Sequence, residues 1–339
     1  MIPRIRPSYS VAELRAAWRA RADAVSTFER QLAAHFGMQH ALAFPYGRSA
    51  IFSCLQALRL SGEVVQPAYN CVVVAHATVL AGCRPVFVDT PPDDPNQDPS
   101  AMAGCVGADT VAAVPTSIFG VSFDAAALCA AIRRRNPKTF ILMDCCQGFD
   151  ARWRGDTMAA HGDAAVLAFG IGKPMTTLYG GALLTNRDDV AIAVRQQRAA
   201  TLASWPRTAR LRRWLYFLSS WLALSSAGVR LTDVLENADT PLHRYLLRLR
   251  SREAIRLPAD NGAAMLPMQA AIGHMQLQRV AGFLSFSQLG IRHRLVDHGQ
   301  HCPRLELKRG VIGCSRLFAI AAVRVVVAQI VIGVPLVRT

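Results

Sequence analysis

Apolar residues recur every three to four positions across residues 10–37, 48–62, 72–82 and 123–135. That is the period of a helix with one buried face. Gly37, Gly62 and Gly82 stand where three of these patterns stop, as glycine does at helix ends. Between them run short apolar segments: HALAF at 40–44, EVVQP at 63–67, RPVFVDT at 84–90, TVAAV at 110–114, TFILMD at 139–144, AAVLAFG at 164–170 and GGALLTN at 180–186. Their length and Val/Ile/Ala content predict strands buried on both sides. Strands alternating with helices predict an α/β fold, a mostly parallel sheet with helices on both faces. From about residue 190 the pattern turns helical and arginine-rich, and residues 265–283 form a clear amphipathic helix with Met268, Ala271, Ile272, Met275 and Val280 on one face. The expected organisation is a large α/β domain over 1–240 and a smaller, shortened C-terminal domain over 241–339.

Composition narrows the class. Of 339 residues, 52% are hydrophobic and 18% charged, which is a folded chain rather than a disordered one. Nine cysteines include no C-x-x-C pair and no zinc spacing, so no metal site is expected. The odd count, and the lack of an apolar run behind MIPRIRPSYS, point to the reducing cytoplasm. The net charge of +15 comes almost entirely from arginine. There is no basic stripe interleaved with aromatics, so no nucleic-acid partner is expected, and a compositional bias toward arginine, with some arginines reading phosphates, is the better account. Residues 214–228 are apolar but too short to span a bilayer and predict a buried or surface-lying helix, with peripheral membrane contact at most. Residues 317–337 are long enough but hold Arg324 and Gln329, and their Val/Ile content predicts buried strands.

The candidate chemistry starts from Lys173, one of only three lysines. Lysine alone among the cations can lose its proton and attack a carbonyl. Lys173 follows the strand pattern 164–170, Asp144 closes the strand 139–144, and Gly47, Arg48 and Ser49 open a helix after a strand. In a parallel sheet all three fall on the carboxyl rim where ligands bind. A helix start with an arginine and a hydroxyl suits a phosphate. Each feature alone has an ordinary structural explanation. Pyridoxal phosphate asks for all three: a lysine for its aldehyde, a carboxylate for its pyridine nitrogen and an anion cradle.

With these residues in view, the chain resembles the DegT/DnrJ/EryC1/StrS aminotransferases. The match runs over FILMDCCQGFD…AAVLAFGIGKPMTTLYGGALLTN (140–186), EVVQPAYNCVVVAHATVLAGCRPVFVDT (63–90) and MQAAIGHMQLQRV (268–280). The resemblance implies fold type I, pyridoxal 5'-phosphate as cofactor and a homodimer. It implies Lys173 as the internal aldimine and proton shuttle, Asp144 at the pyridinium nitrogen, Gln147 beside the ring, and Gly47, Arg48 and Ser49 at the phosphate. Four positions depart from the family pattern. Ala168 replaces a serine before the strand-end Phe, Cys71 replaces the ring-stacking aromatic with Tyr69 nearby, Ser117 replaces a histidine, and Ala264-Met265 replaces Arg-Met. The tail after about Gly310 also differs.

The activity implied is transfer of an amino group, glutamate being the expected donor, to a nucleotide-linked ketosugar. The alternative is a catalytically impaired member serving as a regulatory or scaffold subunit. Arg195 and Arg198 could meet a donor carboxylate, but a solvated helix face is the expected role for both.

Overall fold

A computed structural model of the chain describes residues 9–224, apart from Asp93 and Gly172, and residues 255–279. All belong to one compact unit, Met1–Ser225 with Ile255–Ala281, so the unit that holds the sheet draws on residues from both sides of position 241. The tail after Gly310, the strands expected at 317–337 and the arginine cluster at 244–253 lie outside the described residues.

The chain runs α1 (Val11–Trp18), α2 (Ala24–Phe36), β1 (His40–Phe44), α3 (Gly47–Ala57), β2 (Glu63–Pro67), α4 (Val72–Leu80), β3 (Arg84–Val88), α5 (Pro99–Gly104) and β4 (Thr110–Ala113). It continues through α6 (Ala125–Arg135), β5 (Phe140–Asp144), a small hairpin of β6 (Arg152–Trp153) and β7 (Asp156–Thr157), β8 (Ala164–Ala168), β9 (Gly181–Thr185), α7 (Asp188–Thr201) and α8 (Arg207–Leu224). A last helix, α9, covers 267–279.

Seven strands form one sheet in the order β1-β9-β8-β5-β4-β2-β3. From β3 to β8 every pair is parallel. α4, α5 and α6 make the crossovers that carry the chain from β2 to β5, whereas β5 reaches β8 through the small β6–β7 hairpin. β9 runs antiparallel to both β8 and β1. Only a loop joins it to β8, and a short connection without a helix returns the chain in the opposite direction. The expected mostly parallel sheet is therefore present, with one reversed strand. Its core packs Leu42, Phe44, Ile51, Leu55, Val64, Val114, Leu142, Val166 and Leu183 around the strands.

The helix expected over residues 10–37 is two helices, with a break at residues 19–23. Ser10 and Glu13 close a capping box on α1, and α1 packs with Tyr9 against Phe217 of α8. α2 buries Phe28, Leu32 and Phe36 instead. Both use the same three-to-four spacing, and the spacing alone cannot show that the second half faces a different partner. α9 ties the two together. Buried Glu13 accepts from Gln276 at 2.8 Å and pairs with Arg279 at 2.7 Å, while Gly273 lies against the Phe28 ring.

β9 must start beside the first turn of α3. A Cβ on Gly181 would stand 2.5 Å from the Tyr46 carbonyl carbon and 2.6 Å from the Gly47 Cα. Backbone cannot retreat as a flexible side chain can, so Gly181→Ala is expected to lower the unfolding free energy by about 1–3 kcal/mol. Urea denaturation followed by circular dichroism checks this, and an unchanged midpoint would refute the close approach.

Candidate active site

Asp144 ends the central strand β5 and is 2% exposed. Its backbone N–H donates to the Pro115 carbonyl at 2.8 Å, and its carbonyl accepts from Ser117 N–H at 3.1 Å. The carboxylate Oδ1 accepts the Cys146 N–H at 2.9 Å. Among the described residues it has no ion-pair partner. A carboxylate buried with one N–H donor and no cation is costly, and a positive charge at that point would relieve the cost.

The start of α3 supplies the opposite polarity. Tyr46 occupies the N-cap position without a side-chain cap bond, so the first N–H groups of the helix keep their orphan character and their partial positive charge. Gly47 is pressed against the end of β8: a Cβ there would lie 2.9 Å from Ala168 Cβ and 3.4 Å from Cys146 Sγ. Arg48 is half-buried and makes no ion pair among the described residues. Ser49, by contrast, is 1% exposed, and its hydroxyl is engaged with the side chain of Asn261.

Lys173 sits half-buried in the loop after β8, its backbone N–H donating to the Gly170 carbonyl at 3.1 Å. Its ammonium has no hydrogen-bond or ion-pair partner among the described residues. Its charge acts on the Cys146 thiol, which burial and then Asp144 push well above the usual thiol range. Cys146 thus lies against Gly47 and donates its N–H to Asp144, so the structure brings these two sequence candidates together, with Lys173 on the loop that follows β8. Gln147 follows, with its Oε1 accepting the Phe119 N–H at 3.2 Å. Phe119 meets Tyr69 edge-on at 6.1 Å. Tyr69 is 40% exposed and Phe119 41%, so they form the outer lip of the same rim.

Several contributors were not read from the sequence. Tyr46 Oη donates to Asp260 at 2.6 Å, and Arg213 pairs with Asp260 and donates to Tyr46 Oη at 3.2 Å. Arg213 also lies over the rings of Tyr179 and Trp205, at 4.4 and 5.0 Å. Together with Asn261, these residues brace the α3 turn from positions no local pattern connects to it. Arg195 and Arg198 lie elsewhere: Arg195 bonds His40, and Arg198 is held by Glu29 and the Ala43 carbonyl. Arg198 is thus a strut between α7 and α2 rather than a solvated charge. A cleft of about 800 Å³ lined by Gly107, Thr110, Arg134 and Lys138 opens at the amino end of β4, the opposite end of the strands from Asp144. No His/Cys/Asp/Glu group among the described residues could hold a metal.

The donor set fits pyridoxal 5'-phosphate. It offers an unneutralised buried carboxylate, an unpaired amine and an uncapped helix start whose glycine lets backbone come close.

The sequence profile of the DegT/DnrJ/EryC1/StrS aminotransferase family matches residues 8–234. GDP-perosamine synthase of Caulobacter vibrioides is 30% identical over 173 residues, 50% of this chain and 46% of that protein. The dTDP-4-amino-4,6-dideoxy-D-glucose transaminase of Shigella dysenteriae is 31% identical over 48% of this chain and 44% of its own length. This chain thus spans about half the length of the curated relatives it matches. Among solved structures, 3-amino-5-hydroxybenzoic acid synthase superposes with a TM-score of 0.60 at 25% identity, covering 85% of this chain and 65% of the other.

The buried thiols make a direct test of the packing. Burial pushes Cys54 up to about 12 and Cys129 to about 11, and it raises Cys145 further. Only the thiolate reacts, so at pH 8 these thiols stay protonated and inert. Cys105 is exposed and is expected to be alkylated at least tenfold faster than Cys54, Cys129, Cys145 and Cys146. Mass spectrometry of iodoacetamide-treated protein checks this, with urea abolishing the difference.

Proposed function

The chain belongs to the DegT/DnrJ/EryC1/StrS aminotransferase family, and on that basis we propose that it is a pyridoxal 5'-phosphate-dependent aminotransferase. In this reading it moves an amino group from an amino acid, glutamate, to a nucleotide-linked ketosugar. The observation that carries the proposal is the buried carboxylate of Asp144, without an ion-pair partner among the described residues, linked through Cys146 to the open start of α3, with Lys173 in the loop after the neighbouring strand β8. The names of the matched relatives, a GDP-sugar synthase and a dTDP-sugar transaminase, support the substrate class.

The cofactor supplies an aldehyde that exchanges amino groups and a ring that accepts electrons when a neighbouring carbon loses its proton. The chain supplies the rest. Lys173 would hold the aldehyde, and its amine is the group that would take up and return a proton at the site. Asp144, fixed by the Cys146 N–H, keeps the ring nitrogen positive. The first turn of α3 with Arg48 receives the phosphate, while Ser49 and its partner Asn261 hold that turn in place. Gln147 is oriented by its bond to Phe119 N–H and would present its amide to the ring. A homodimer of the cytoplasm belongs to the same reading.

Purified protein with added pyridoxal 5'-phosphate is expected to show an absorption band at the edge of the visible. The band should be reducible by borohydride, absent in Lys173→Ala and bleached by glutamate. Asp144→Asn should keep the band but slow the bleaching by about 10²-fold or more. Folded protein without the band would overturn the enzyme reading in favour of a scaffold subunit.

A further inference from the structure

We propose that the outward face of α8, together with Trp18, is a docking surface for an anionic phospholipid bilayer. α8 turns one face inward, burying Ala209, Phe217 and Ser220. At 100° per residue, Leu211, Leu215, Leu218 and Leu222 fall within an arc of about 60° on the opposite side. They are 60%, 57%, 38% and 60% exposed. Trp18 at the end of α1 is 81% exposed and meets Trp214 edge-on at 6.1 Å, and Trp214 borders the leucine row on the helix wheel. Four leucines in line with an indole beside them are out of place in water. They match the requirements of a helix lying in a bilayer interface, where leucine enters the acyl boundary and tryptophan sits at headgroup level.

Charge decides what kind of partner covers this face. Arg207, Arg210 and Arg212 are exposed in the first two turns of α8, and Arg15, Arg19 and Arg21 are exposed on and just after α1. α8 has no acidic residue. Glu13 is buried and paired with Arg279, and Asp23 lies 3.6 Å from Arg21. A second copy docking through the same face would bring arginines without counter-charges, whereas an anionic bilayer supplies them across its whole surface. No described helix is long and apolar enough to cross a membrane, so the contact is peripheral, made by leucine insertion and arginine attraction together.

The test is flotation of the full chain with vesicles of phosphatidylcholine alone or with about one third phosphatidylserine. Co-flotation is expected only with the anionic vesicles, weakening as salt rises. Leu215→Glu/Leu218→Glu should lower the floating fraction at least tenfold. Trp18→Ser and Arg207→Gln/Arg212→Gln, all at exposed positions, should each lower it several-fold with an unchanged circular dichroism spectrum. The proposal is overturned if the parent stays at the bottom with anionic vesicles, or if the exposed-position variants float as well as the parent. It is equally overturned if sedimentation shows the leucine face holding two copies of the chain together instead.

Discussion

Everything at the rim depends on one close approach of backbone to backbone. The first turn of α3 is wedged between the ends of β8 and β9, with Gly47 against Ala168 and Gly181 against Tyr46 and Gly47. Neither glycine can carry a Cβ without displacing main chain. Because the wedge is that tight, the helix start and its orphan N–H groups are held in one place at the end of β8. The paired glycines at 180 and 181, which a sequence reader could assign to a tight turn, are divided in role: Gly181 is the contact that lets the helix in.

The brace behind that wedge is polar. Tyr46, Arg213 and Asp260 share hydrogen bonds, and Arg213 lies over the rings of both Tyr179 and Trp205. A half-buried arginine held by a carboxylate and two aromatic faces has little freedom left. The consequence is that the α3 turn is gripped on one side by glycine contacts and on the other by a charged network. Ser49 belongs to the grip, since its hydroxyl is taken up by Asn261.

Much of this was legible in the amino-acid pattern, for identifiable reasons. β2, β5, β8 and β9 are apolar runs of about five residues bounded by turn residues, a length that suits strands buried on both sides better than helices. Asp144 and Lys173 could be placed because each follows such a run, and strand ends define the rim. What was not legible is long-range or phase-dependent. The break between α1 and α2 leaves the three-to-four spacing intact, so periodicity alone passes over it. Ser49 looks like a phosphate ligand from its neighbours, and only a residue 212 positions away shows where its hydroxyl points. The reversed direction of β9 depends on a loop that carries no helix, a feature of connection rather than of the strand itself.

The return of the chain to the sheet unit at residues 255–279 has a consequence for synthesis. Tyr46, Ser49 and Glu13 are among the early residues to leave the ribosome, yet their partners Asp260, Asn261 and Gln276 are made more than two hundred residues later. Chain emerges at about 5–20 residues per second. For ten seconds or more, therefore, a nascent sheet could stand with three inward-facing polar groups still waiting for their mates. The bracing of the rim is in this sense finished late, although its first turn is among the earliest written.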